Sequence, residues 1–82
     1  MDKIFQLTLE TRFDDDKRFQ SFPHISKDGA KKHRQKLLEK YLSFTECKVV
    51  ENPNDEKYDE IFAEDENDNY IFLKIEEVKI LD

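Results

Sequence analysis

Residues 26–44, SKDGAKKHRQKLLEKYLSF, decide the fold, because they form the one stretch whose apolar side chains recur with a helical period. At 100° per residue Ala30, Leu37, Tyr41 and Phe44 fall within a narrow arc, and Leu38 and Leu42 widen it into a face that suits packing on a sheet. Ser26 stands where a helix N-cap is wanted, and Asp28 in the first turn favours the positive end of the helix dipole. Lys32, Lys36 and Lys40 stand on the opposite arc at four-residue spacings, a row whose repulsion costs roughly a few tenths of a kcal/mol per pair unless something compensates it. Arg34 projects into the apolar arc itself, where it is expected to snorkel along Leu37 and Tyr41 or to pair with a carboxylate.

Upstream of the helix, Phe5, Leu7, Leu9, Thr11 and Phe13 alternate with Gln6, Thr8, Glu10 and Arg12, the period of a half-buried strand. Asp14, Asp15 and Asp16 break the pattern, and Phe19, Ser21, Pro23 and Ile25 resume the alternation on the way back to the helix, so a hairpin is expected. Pro23 has no N–H for a ladder, which places the second strand at an edge. Downstream, residues 45–51 predict a short strand around Val49, closed by the turn-forming Asn52-Pro53-Asn54-Asp55. Residues 60–64 and 70–75 then flank the polar run Asp65 to Asn69 as a second hairpin. Glu76 and Glu77 interrupt the alternation before Val78, and a bulge, a bend or a departure from the sheet is expected there. The order is ββαβββ. It predicts an α+β fold, a small two-layer domain with one helix packed on an antiparallel sheet, and the 82 residues suit a single domain, 1–82.

Charged residues make up 41% of the chain, yet the 37% hydrophobic content includes seven Phe and three Tyr, enough for an aromatic-rich core and against global disorder. One Gly and two Pro leave no flexible linker. Cys47, the single cysteine, cannot close an intramolecular disulfide; the first residues lack a signal-like apolar run, and no stretch nears the roughly 20 apolar residues of a membrane span. A cytoplasmic location is expected, with no membrane partner.

The net charge of −6 hides a division. Residues 27–40 hold six basic groups against two acids, whereas residues 46–68 hold ten acids against Lys48 and Lys57. Such asymmetry bears on partners and association rates rather than on fold.

Little in the chain points to catalysis. Asp65, Asn67, Asn69 and Glu76 match the first, third, fifth and twelfth places of a calcium loop, but the sixth place needs glycine and holds Tyr70. His24, His33 and Cys47 show no paired metal-ligand spacing, and Cys47 reads as a small buried hydrophobe. Gly29, the only glycine, cannot make a glycine-rich phosphate loop. No catalytic residue, metal or cofactor is expected. The residues favour a non-enzymatic binding protein, an inhibitor or adaptor that occupies the functional surface of a partner protein. Its acidic face would use Asp59, Glu60, Glu64 and Asp65 against a basic surface such as that of a nucleic-acid-acting enzyme or a toxin. Small phage proteins of host takeover, counter-defence or toxin neutralisation offer a class-level analogy and nothing closer. The alternative is RNA or nucleic-acid binding through Lys31, Lys32, Lys36 and Lys40. The two charge zones also allow head-to-tail or homodimeric contacts.

Overall fold

Five antiparallel strands with one helix across them make up the regular structure of the computed structural model, which describes residues 3–50 and 59–80. In chain order the elements are β1 (Lys3–Phe13), β2 (Asp16–His24), α1 (Lys27–Phe44), β3 (Lys48–Val49), β4 (Glu60–Glu64) and β5 (Tyr70–Lys79). The ββαβββ order and the two-layer α+β architecture are those expected from the sequence. The turn expected at Asn52 to Asp55 lies outside the described residues.

The sheet order is β2-β1-β5-β4-β3, which puts the two longest strands in the middle. Leu7 faces Ile75, Leu9 faces Leu73 and Thr11 faces Ile71 across the central ladder, and Ile61 and Ala63 extend these rows onto β4. On this side α1 contributes Ala30 and Leu38, and Cys47 joins the same buried cluster. Phe5, Phe13, Phe22, Leu37, Tyr41 and Leu42 pack around its margin. Ser26 caps α1 as expected, its Oγ accepting the Gly29 N–H at 3.1 Å. At the other end Ser43 Oγ and Thr45 Oγ1 donate to the carbonyls of Lys40 and Tyr41, both at 2.6 Å, so side-chain hydroxyls bond back onto the closing turns of the helix.

Four expectations are corrected. Asp14 and Asp15 form a two-residue turn with φ of 52° and 70°, the left-handed pair that a tight hairpin requires, and Phe13 faces Asp16 across it. That register sets Phe22 against Leu7, so the even-numbered residues of β2 share the helix side with the odd-numbered residues of β1. Phe19 is therefore 67% exposed on the far side, Ser21 and Pro23 lie there with it, and Phe22 packs on the core in its place. Pro23 does stand on an edge strand. Second, β5 runs unbroken through Glu76 and Glu77, opposite Gln6 and Phe5. Glu77 meets Lys3 at 2.8 Å and Glu76 meets Lys74 at 3.0 Å, so neither carboxylate needs to leave the strand to find a countercharge. Third, Phe44 is 62% exposed at the last residue of α1, tilted against the Tyr41 ring at 5.3 Å, and Leu38 is the deeply buried helix leucine. The third strand is also shorter than expected, with Cys47 preceding it.

This orientation of α1 is checked by a pair of truncations. Leu38→Ala should destabilise by about 2–5 kcal/mol in denaturant melts, and Leu37→Ala at the margin by clearly less. A larger loss at Leu37 would contradict the burial order on α1.

Candidate functional site

Among the described residues one helix covers one side of the sheet and no element packs on the other, where Glu10, Phe62, Tyr70 and Phe72 are half-buried. Register places Phe62 on β4 opposite Phe72 on β5, Phe72 opposite Glu10 on β1, and Glu10 opposite Phe19 on β2, one row across four strands of the uncovered face. The Phe62 ring stacks on Tyr70 with centroids 5.7 Å apart and tilts against Phe72 at 6.4 Å. Tyr70 Oη donates to Glu10 Oε2, and this bond holds the phenol proton and raises the Tyr70 pKa above its ordinary value. Lys74 lies 3.0 Å from Glu76 and 4.0 Å from Glu60, while Arg12 pairs with Asp15 at 3.0 Å. The charges on this face are thus largely compensated by one another, around an aromatic centre.

The acidic residues singled out in the sequence are dispersed. Asp59 turns toward α1: Lys27 Nζ reaches its carboxylate at 2.9 Å, its side chain is 12% exposed, and its carbonyl accepts Arg34 Nη1 at 2.8 Å and the Ile75 N–H at 3.3 Å. Arg34 therefore meets a main-chain carbonyl instead of a carboxylate oxygen, and burial lowers its pKa against the opposing pull of Asp59. Glu60 sits on the uncovered face beside Lys74. Glu64 and Asp65 do come together, in an open groove of about 620 Å³ lined also by Glu46, Cys47, Lys48 and Glu66. Asp65 accepts the N–H groups of Asn67 at 2.7 Å and Asn69 at 3.0 Å and the Asn69 amide at 2.8 Å, and its pKa is lowered, first by that side-chain amide. Its oxygens hold the turn together. Burial pushes the Cys47 thiol up, which keeps it protonated and a poor nucleophile. Among the described residues no three His, Cys, Asp or Glu side chains gather as metal ligands.

Lys31, Lys32, Lys36 and Lys40 are all exposed, and none forms an ion pair with a described residue. Helical spacing separates them. Lys31 follows Lys27 by four residues on the flank that reaches Asp59, whereas Lys36 and Lys40 follow His33 by three and seven on the flank that faces β2. His33 marks that flank, its Nδ1 lying 2.9 Å from His24 Nε2 and its ring edge-on to Phe22 at 4.7 Å.

Two features escaped the sequence reading. Phe62, Tyr70 and Phe72 carry a signal in hindsight: residues 70–73, Tyr-Ile-Phe-Leu, are apolar on both faces of a strand, while one helix can bury only one face. The histidine contact left no signal, because it spans the junction between strand and helix. No family model matches the chain, and neither curated proteins nor solved structures give a match. Among the described residues no helix is long and apolar enough to cross a membrane.

The histidine pair gives a pH prediction. Burial, then His24 and then Lys36 lower the His33 pKa, so the folded state disfavours its proton more than the unfolded chain does. Stability is full above the unfolded histidine value of about 6.5 and is lost as pH falls from there toward the lower folded value. Melting temperature should therefore drop from pH 7 to 5.5, before most carboxylates titrate, and His33→Gln should flatten the drop. An identical slope in the variant would contradict this role.

Proposed function

We propose that the protein is a non-catalytic binding module, an inhibitor or adaptor that covers the functional surface of a partner protein with the uncovered face of its sheet. The observation that carries this reading is the row Phe62–Phe72 with Tyr70 beside it, held on a hydrogen-bonded platform and ringed by mutually paired charges. Aromatic centres with polar rims are the composition of protein interfaces, where a few buried rings supply most of the affinity. A platform for single-stranded nucleic acid would combine such rings with an excess of positive charge, and here the charges on the face balance. The acidic groove at Glu46, Glu64, Asp65 and Glu66 adjoins the Tyr70 end of the row, since Glu64 pairs with Tyr70 in the ladder. The partner this fits has an apolar patch bordered by basic side chains, as a nucleic-acid-acting enzyme or a toxin would offer. A reducing cytoplasm suits the one free cysteine.

The second reading, RNA binding by the α1 lysines, is favoured by their lack of ion pairs among the described residues. A partner captured from nuclease-treated lysate separates the two. Phe62→Thr/Phe72→Thr should weaken its binding by about 100-fold or more, because interface aromatics of this kind cost ~2 kcal/mol or more each when truncated. Glu64→Lys/Glu66→Lys should slow association and flatten its salt dependence. Lys32→Gln/Lys36→Gln/Lys40→Gln should change affinity by less than about threefold, on the footing that charges outside a contact matter little. A dominant loss from the lysine variant, with capture abolished by nuclease, would favour RNA.

A further inference from the structure

We propose that the free edge of β2, with the flank of α1 above it, is a docking site for an acidic, extended segment of a partner protein that adds to the sheet as a further strand. This surface meets the uncovered face only at Phe19 and does not depend on the function proposed for that face.

β2 ends the sheet order, and among the described residues no main-chain hydrogen bond runs outward from it. A nine-residue edge presents alternate N–H and C=O groups to solvent, the template on which an extended peptide pairs. Pro23 lacks an N–H, so the usable ladder is the stretch from Asp16 to Phe22.

The wall beside this edge is set by the histidine contact. His33 packs on His24 and Phe22, which fixes one flank of α1 over β2. Lys36, Lys40 and Phe44 follow His33 at three, seven and eleven residues, so helical geometry carries them along the same flank. Tyr41 stacks on Phe13, the partner of Asp16, so this line of residues advances toward the Asp16 end of β2. On the helix side of β2, Arg18 and Gln20 are exposed alongside it. Neither Lys36 nor Lys40 has an anionic partner among the described residues.

Charge selects the occupant. Two β2 edges pairing around a two-fold axis normal to the sheet would leave both helices on one side and turn Lys36 and Lys40 of one copy toward those of the other. A second copy is disfavoured, and a strand carrying Glu or Asp on its helix side is favoured. Nucleic acid could meet the lysines but would leave the main-chain edge unused. The exposed Phe44 and Phe19 flank the edge on its two sides and offer apolar contacts to alternate side chains of the added strand.

The test uses fluorescein-labelled ten-residue peptides alternating Glu with Val, Ile, Phe or Tyr, the same peptides N-methylated at every second residue, and a twelve-nucleotide oligouridylate. At least one acidic peptide should bind wild-type protein and shift the amide resonances of residues 16–22. N-methylation should weaken it at least tenfold, and so should Lys36→Glu/Lys40→Glu in protein whose circular dichroism is unchanged. Failure of all the peptides to bind at millimolar protein, binding indifferent to N-methylation, resonance shifts elsewhere than β2, or tighter binding of the oligouridylate would each overturn the proposal.

Discussion

One helix must serve five strands, and the rest of the structure follows from that mismatch. An 18-residue helix is about 27 Å long and roughly 10 Å wide, whereas five strands at about 4.8 Å spacing span close to 20 Å. α1 therefore shields the helix side of β1 and β5, where Leu7, Leu9, Leu73 and Ile75 are buried, and among the described residues nothing covers the other sheet face or the edge at β2. What the chain places on that uncovered surface is then informative. Phe62, Phe72 and Tyr70 cluster there although the core on the other side is already closed.

The helix is fastened at both flanks by polar contacts. On one flank Arg34 and Lys27 converge on Asp59, bonding its carbonyl and its carboxylate; on the other His33 meets His24. These are half-buried bonds whose loss would strand a polar group, so they resist rotation of α1 about its axis. That fixed rotation aims Lys36 and Lys40 along β2 and keeps Asp59 out of reach of a partner. Asp59, selected from the sequence as part of an acidic face, is instead a fastening between α1, β4 and β5.

Most of the fold was legible because each element announces itself locally: Ser26 before a 3.6-residue period, Pro23 demanding an edge, two polar runs closing two hairpins. What was not legible depends on register and on faces. Whether Phe19 or Phe22 enters the core is settled by a turn of two residues, Asp14 and Asp15, both in left-handed backbone, where a three-residue break would have reversed every side chain of β2. Glu76 and Glu77 look like a stop until Lys3 and Lys74 supply countercharges from across and along the sheet. In residues 70–73 both faces are apolar, so periodicity cannot say which one the helix covers. For the candidate site, the charge division was readable, but its distribution was not: Glu64 and Asp65 share a groove while Glu60 and Asp59 lie elsewhere. The aromatic row is a product of strand order, which no local pattern encodes.

The central claim is that the aromatic face, and neither the helix lysines nor the core margin, meets the partner. Fluorine NMR of protein carrying fluorophenylalanine at its seven Phe positions tests it most directly, with the captured partner added at increasing ratio. The account predicts that the Phe62 and Phe72 resonances shift and broaden while those of Phe5 and Phe13, on the helix side, hold their positions. Unmoved Phe62 and Phe72 signals in a saturated complex would contradict it.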